Sequence, residues 1–198
     1  MCFAVIAGIG AALLWRHSSA TVQLATGTYL SPARRLPDFS LIDQRNHAFG
    51  PADLRGRWSI LFFGYTNCPD LCPTTLTTLA SMEKDMRSRG AGPVPQVIFV
   101  SVDAKRDTPA QLAKYVPYFD PDFIGVTARD QPTIEELARQ LGVAVYLTPP
   151  KPDGTYTVDH SGAIFVVDPA GRLSAILTGP FTASSLESDI KRIEAVHG

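Results

Sequence analysis

The sequence has almost no net charge of either sign. Over its 198 residues, 18 Lys and Arg are balanced by 19 Asp and Glu, so the formal net charge is −1. Without a positive excess the protein lacks the broad positive field that attracts nucleic acid, and we do not expect nucleic acid as a partner. The content of hydrophobic residues, 45%, is typical of a single globular domain.

Cysteine is also scarce, with three residues in the whole chain. So few cysteines exclude a small domain that is held together by a disulfide framework. A cysteine that matters in this protein is therefore expected to take part in chemistry. Cys68 and Cys72 are the candidates, because Cys2 belongs to an apolar run at the amino end.

That apolar run, residues 1–15, has no charged side chain and is followed by Arg16 and His17. We interpret it as a membrane anchor. As a helix it would reach about 22 Å, less than the roughly 30 Å hydrocarbon core of a bilayer, so we expect a truncated anchor. A signal peptide fits less well because no basic segment precedes the run, and a buried core helix fits less well because every face is apolar. Residues 16–36 are polar and aperiodic, which is typical of a tether, and residues 37–198 are expected to form the folded domain.

In the expected domain, apolar runs typical of buried strands alternate with segments of helical period. The predicted strands cover residues 58–64, 96–102, 123–126, 143–147, 163–168 and 172–178. The predicted helices cover 73–89, 108–115, 132–141 and a last segment from Thr182. This order predicts an α/β protein with a thioredoxin-like plan, in which a mixed central sheet with an antiparallel edge is flanked by helices.

Cys68 and Cys72 lie between the first of these strands and the first helix. Open α/β sheets place their chemistry at the carboxyl ends of strands, and a helix amino terminus stabilises a thiolate. A purely structural disulfide is less attractive, because so short a loop would stabilise the fold by only about 2 kcal/mol. The spacing favours either a metal site or thiol redox chemistry and does not choose between them.

His160 precedes the predicted strand at 163–168, on the loop that faces the cysteine junction in a thioredoxin-like fold. Two sulfurs and one imidazole suit Cu(I) in three-coordination, and the set can be extended for Cu(II). Zinc fits less well, because a structural zinc site needs a fourth ligand. The competing interpretation is that His160 binds no metal and that other protein groups near the edge of the core satisfy its hydrogen bonds.

The other candidate residues are expected to have no role in the site. His17, His47 and His197 are expected to be solvated, and Asp103 and Asp107 are explained as turn and capping residues.

Several sequence blocks carry a resemblance to a known family. They are DLRGRW from Asp53, FFGYTNCPDLCPTTL from Phe62, SVD from Ser101 with RDTP from Arg106, YFDP from Tyr118, FIG from Phe123 and DHS from Asp159. Together these blocks resemble the Sco/SenC family of copper-binding proteins, which act in cytochrome c oxidase assembly. The resemblance implies a thioredoxin-like domain tethered to a membrane, facing the periplasm or the mitochondrial intermembrane space, that binds copper through Cys68, Cys72 and His160. It also implies three partners: oxidase subunit II with its dinuclear copper site, a copper donor protein and a thiol reductant.

Two functions from different classes compete for the same residues. The leading hypothesis is a copper metallochaperone. The alternative is an enzyme, a thiol-disulfide oxidoreductase or thiol peroxidase that uses Cys68 and Cys72 with His160 as base. A peroxidase of this fold usually needs a hydroxyl residue just before the cysteine and a supporting arginine, whereas Thr66 is the one such hydroxyl and no arginine lies between Arg57 and Arg87. Copper sensing would use the same site.

Overall fold

The computed structural model describes residues 22–90 and 92–197, and within these ranges the chain forms ten strands and four α-helices. The strands are β1 Gly27–Arg35, β2 Leu41–Asp43, β3 Ala48–Phe49, β4 Ser59–Gly64, β5 Gln96–Ser101, β6 Ile124–Thr127, β7 Val145–Leu147, β8 Val158–His160, β9 Ile164–Val167 and β10 Arg172–Leu177. The helices are α1 Leu71–Arg89, α2 Pro109–Tyr115, α3 Gln131–Leu141 and α4 Ala183–His197.

Eight strands form one mixed sheet in the order β1-β10-β9-β4-β5-β6-β2-β3. The central strands β4, β5 and β6 run parallel, and the strands on both sides of them pair antiparallel. All six residues of β4 are buried, as expected for a central strand that is covered on both faces. These observations confirm the predicted α/β class with a mixed central sheet.

Alternate residues of β4 point to two separate cores. Ile60 and Phe62 face a core that α1, α2 and α4 cover, whereas Leu61 and Phe63 face a core that α3 covers. The helices contribute their apolar stripes to these cores, so the sheet is flanked by helices on both faces as predicted.

The cysteine junction follows directly from this architecture. β4 ends at Gly64, and α1 begins at Leu71, two residues earlier than the predicted start at Pro73. The helix ends as predicted before Gly90, which takes the left-handed conformation (φ 58°) and accommodates it because it has no Cβ.

The structure corrects the prediction of a tether for residues 22–36; residues 16–21 of that predicted tether lie outside the described residues. β1, Gly27–Arg35, lies along the edge of the main sheet and pairs antiparallel with β10. Just before it, the amide of Thr26 donates a hydrogen bond of 2.8 Å to the buried carboxylate of Asp189. The strand escaped prediction because an edge strand buries little of its surface and carries no apolar alternation.

The predicted anchor, residues 1–15, lies outside the described residues. None of the helices within residues 22–90 and 92–197 combines the length and the apolar character that a membrane crossing requires.

A second difference concerns the segment that carries His160, which was expected to be a loop. Val158–His160 instead forms β8, which pairs antiparallel with β7 in a separate two-stranded sheet. Strands of three residues are too short to show alternation in the sequence. The same holds for the small hairpin of β2 and β3, which was also not predicted.

Candidate metal centre

The structure brings together the three residues that the sequence singles out. One ligand atom from each of Cys68, Cys72 and His160 lies within 4.8 Å of the other two. Among the described residues, this cluster contains no fourth His, Cys, Asp or Glu. The set therefore offers two sulfurs and one nitrogen.

The two thiols are arranged by one strand-to-helix junction. Cys68 lies half-buried in the loop after β4, and Cys72 lies fully buried in the first turn of α1; both are free thiols. The backbone amide of Cys72 donates to Cys68 Sγ over 3.3 Å. Asp70, at the N-cap, makes no capping hydrogen bond with its side chain. The Cys68 sulfur thus accepts the hydrogen bond that an N-cap side chain usually accepts from an amide in the first turn of a helix.

This geometry makes the two cysteines unequal as acids. A hydrogen bond from the Cys72 thiol lowers the pKa of Cys68 to about 4; partial burial opposes this shift, and hydrogen bonds from the His160 side chain and from the amides of Cys72 and Asp70 reinforce it. The pKa of Cys72 is raised, first by sharing its proton with Cys68 and then by burial. At neutral pH, Cys68 is therefore a thiolate, which is the form that binds metal and attacks disulfides.

His160 approaches the thiols from the opposite side. Its Nε2 lies 3.5 Å from Cys72 Sγ, and its Nδ1 lies 3.1 Å from the carbonyl oxygen of Ser161. With the proton on Nε2 the ring donates to the cysteine sulfurs of the metal-free site; with the proton on Nδ1, that nitrogen donates to Ser161 and Nε2 is free to bind a metal. The rings of Tyr65 and Phe62 pack edge-on against the imidazole, with centroids 5.9 Å and 6.4 Å away. The imidazole is therefore oriented as a ligand.

An uncharged groove of about 660 Å³ opens beside the site. Leu71, which is 43% exposed, forms part of its wall together with Gly162 and Phe181. Leu71 lies between the two cysteines in the sequence, so this wall of the groove belongs to the cysteine segment.

The three other histidines have different outcomes. His47 is exposed, as expected. His197 was expected to be solvated, and this expectation is wrong: its Nε2 lies 3.2 Å from a carboxylate oxygen of the fully buried Asp168, and its ring packs edge-on against Trp58. His197 is the last residue of α4, and it contacts the sheet at the start and end of two strands through Trp58 and Asp168. His17 lies outside the described residues.

Asp107 is a residue near the site whose importance the sequence analysis missed. It was explained as a turn residue, but its fully buried carboxylate accepts hydrogen bonds from the amide of Thr66 at 2.9 Å, from Thr66 Oγ1 at 2.7 Å and from Ser101 Oγ at 2.7 Å. Thr66 lies two residues before Cys68, so Asp107 fixes the cysteine loop. The resemblance block that begins at Arg106 contained Asp107 and was the available signal.

The donor set of this centre selects its metal. Thiolates and an imidazole are soft to intermediate ligands, which suit Cu(I) in three-coordination. A structural zinc site needs a fourth protein ligand, and the cluster within the described residues has three. The residues present therefore fit copper better than zinc.

Comparisons with known proteins agree with this assignment. The SCO1/SenC family model matches residues 28–195. The mitochondrial SCO2 homolog of Bos taurus is 35% identical over 155 residues, which make up 78% of this chain and 58% of that protein, so this chain spans little more than half of the bovine sequence.

Solved structures give the same result. Arabidopsis thaliana ScoI with copper bound matches with a TM-score of 0.74 and 32% identity, over 80% of this chain and 98% of that one. Yeast Sco1 with copper bound matches with a TM-score of 0.74 and 30% identity, over 83% and 90% of the two chains. These matches confirm the predicted thioredoxin-like fold and the family resemblance. The chain belongs to the SCO1/SenC family.

Proposed function

We propose that this protein binds copper through Cys68, Cys72 and His160 and acts in the assembly of cytochrome c oxidase. The observation that carries the proposal is the convergence of two thiols and an imidazole within 4.8 Å at the carboxyl edge of the sheet. The copper bound in the related Arabidopsis and yeast structures supports it.

In the finer form of the proposal the protein is a metallochaperone whose cargo is the copper of the dinuclear site in oxidase subunit II. The two sulfurs hold Cu(I), and the imidazole completes a set that also accepts Cu(II). A copper donor protein loads the site. A disulfide between Cys68 and Cys72 would remove both thiolates, so a thiol reductant is needed wherever the compartment is oxidising.

The second candidate function is thiol-disulfide exchange by the same pair. The low pKa of Cys68 favours it, because a thiolate at neutral pH is the attacking species. A peroxidase is less well supported, since the Thr66 hydroxyl that could assist a thiol donates to Asp107 over 2.7 Å. We therefore retain the oxidoreductase as the alternative to be tested.

For localisation we propose attachment to a membrane through residues 1–15, with the domain in the periplasm or the mitochondrial intermembrane space. Gly27 pairs with Leu177, which pairs with Ile164 next to the carboxyl end of β4. The start of β1 therefore lies at the same end of the sheet as the carboxyl end of β4, where the site is. Residues 16–21 can span at most about 20 Å. An anchor there would hold the metal site near the bilayer. Deleting residues 1–15 should release the protein from membranes with unchanged copper affinity, and persistent membrane attachment would contradict the proposal.

His160→Ala separates the two functions in the full chain. We expect Cu(II) affinity to fall by more than about tenfold and the copper content of the oxidase to fall in cells that carry the variant, while the rate of disulfide exchange with oxidised glutathione changes by less than about threefold. His47→Ala, an exposed histidine remote from the thiols, is the matched control. Normal copper binding with a collapsed exchange rate would overturn the chaperone and establish the oxidoreductase.

A further inference from the structure

The loop that follows β5, residues 102–107, contacts the segments that carry both halves of the metal centre. Its last residue, Asp107, binds Thr66 and thereby holds the cysteine loop. Two other residues of the loop, Asp103 and Arg106, bind the segment that carries the histidine. The sequence analysis explained Asp103 by turn formation, yet its carboxylate is fully buried and needs partners inside the protein.

The partners of Asp103 are Arg106 and Tyr156. Arg106 Nε donates to one carboxylate oxygen, and the hydroxyl of Tyr156 donates to the other at 2.7 Å. The guanidinium of Arg106 also lies 3.6 Å from the centroid of the Tyr156 ring, and its Nη1 donates to the Tyr156 carbonyl at 3.0 Å. Tyr156 is thus held at its hydroxyl, its ring and its backbone.

Tyr156 lies four residues before His160, on the arm that enters β8. The two strands of this hairpin pair only with each other within the described residues, over three residue pairs, and form no part of the main sheet. An isolated two-stranded hairpin is at best marginally stable in water. The position of His160 therefore depends on contacts that fasten the hairpin to the rest of the domain.

A second contact links Arg106 to the imidazole. The guanidinium lies 5.6 Å from the centroid of the Tyr65 ring, and the same ring packs edge-on against His160 at 5.9 Å. Tyr65 is buried and belongs to the cysteine loop. Arg106 thus lies where the hairpin and the cysteine loop meet.

We propose that Asp103, Arg106 and Tyr156 form a clamp that positions His160 against the cysteine pair. The three residues bind no metal in this assignment; they are positioning residues that act through the hairpin. With Asp107 at its other end, one loop then sets both the thiols and the imidazole. This inference rests on the proposed function in that it takes His160 as a copper ligand.

The test is a double-mutant cycle in the full chain. Arg106→Gln and Tyr156→Phe are made in the wild type and in His160→Ala, and Cu(I) and Cu(II) affinities are measured for each. We expect Arg106→Gln to lower Cu(II) affinity by about 10- to 100-fold, the loss typical of a group that orients a ligand. Cu(I) affinity should change by less than about threefold, because the thiolates alone can hold it. In the His160→Ala background, Arg106→Gln should cause no further loss.

A readout without metal keeps the test independent of copper. Hydrogen exchange at the amides of Val158–His160 should speed up at least about tenfold in Arg106→Gln, while the amides of β4 remain protected. Lys105→Gln, an exposed neighbour in the same loop, and Tyr146→Phe, an exposed tyrosine of the same hairpin, are the matched controls. If Arg106→Gln fails to fold, Arg106→Lys, which keeps the charge but loses the planar stack, and Tyr156→Phe take its place.

Each outcome has a defined meaning. Equal losses of Cu(II) affinity in both backgrounds, or unchanged exchange at β8, would overturn the clamp. If His160→Ala alone leaves Cu(II) affinity unchanged, the proposed ligand set is wrong, and faster exchange at β8 would then show that the clamp holds the hairpin but has no role in copper binding.

Discussion

Cys68 and Cys72 lie four residues apart at one strand-to-helix junction, whereas His160 lies 88 residues beyond Cys72 on a separate hairpin. The cysteine side is built on β4, all six residues of which are buried, and Cys72 itself has no exposed surface. The histidine side is built on a two-stranded sheet with partly exposed residues. The thiols are therefore placed by local chain geometry, and the imidazole is placed by contacts between distant segments.

Because of this difference, moving the cysteines and moving the histidine should cost different amounts of free energy. Moving the cysteines requires distortion of a close-packed core, which is costly. Moving the histidine requires only the displacement of a short hairpin. We infer that thiolate binding is the robust property of the centre and that imidazole binding is the adjustable one, so the oxidation state that needs the imidazole is the more sensitive to mutation.

The largest expected effect follows from removing a thiol. Cys72→Ser should lower Cu(I) affinity by more than about a hundredfold, since a hydroxyl is a poor ligand for this soft ion and one sulfur remains. His160→Ala, the matched change on the other side, should lower it by less than about tenfold. Competition titrations with a Cu(I) chelator measure both. Similar Cu(I) losses in the two variants would remove the distinction between robust and adjustable sides.

The next effect concerns two glycines, one on each side of the centre. A Cβ at Gly64 would lie 2.8 Å from Cys72 Sγ and 2.6 Å from an edge atom of the Phe99 ring. Because these neighbours are fully buried, Gly64→Ala should lower the free energy of unfolding by about 1–3 kcal/mol and weaken Cu(I) binding.

Gly162→Ala is the matched change on the histidine side. Its Cβ would meet the Leu71 side chain at 3.1 Å, and Leu71 is exposed and can turn aside. We expect a loss below about 0.5 kcal/mol, in the range of ordinary surface substitutions. Urea denaturation of both variants checks the pair, and a larger loss for Gly162→Ala would contradict the comparison.

The same contrast explains what the sequence could and could not predict. Cys68 and Cys72 could be placed because an apolar run, a cysteine pair and a helical period follow one another in the chain. His160 could be named from its chemistry and from the resemblance, but β8 could not, because three-residue strands carry no periodicity. The sequence could not predict the clamp formed by Asp103, Arg106 and Tyr156 for a different reason. The contacts of these residues span up to 53 positions, and a single sequence does not show which distant residues are in contact.

A smaller effect is expected in the reactivity of the metal-free thiols. Since the pKa of Cys68 is lowered to about 4 and that of Cys72 is raised, Cys68 should react with iodoacetamide at least about tenfold faster than Cys72 at pH 7. The rate at Cys68 should stay nearly constant from pH 9 down to about 6 and fall as the pH approaches 4, because protonation then removes the thiolate. Mass spectrometry of the labelled peptides measures both rates. A rate at Cys68 that still rises steeply between pH 7 and 9 would show an ordinary thiol.

The smallest expected effects on metal affinity come from removing one hydroxyl on each side of the centre, and they test the comparison most directly. Thr66→Val removes the hydroxyl that Asp107 holds on the cysteine side, and Tyr156→Phe removes the hydroxyl that Asp103 holds on the histidine side. Each loses one hydrogen bond to a buried carboxylate, so each should lower the free energy of unfolding by about 1–3 kcal/mol.

Equal costs in stability should nevertheless have different consequences for the site. Thr66→Val acts on the loop before Cys68 and should alter the alkylation rate of Cys68, with the ratio of Cu(II) to Cu(I) affinity unchanged. Tyr156→Phe keeps the ring stacked on Arg106 and should lower that ratio by about two- to fivefold, with the alkylation rate unchanged. Because the two variants are matched in chemistry and in expected stability loss, a general loosening of the protein would change both readouts in both variants. That result would mean that the two sides of the centre are a single cooperative unit.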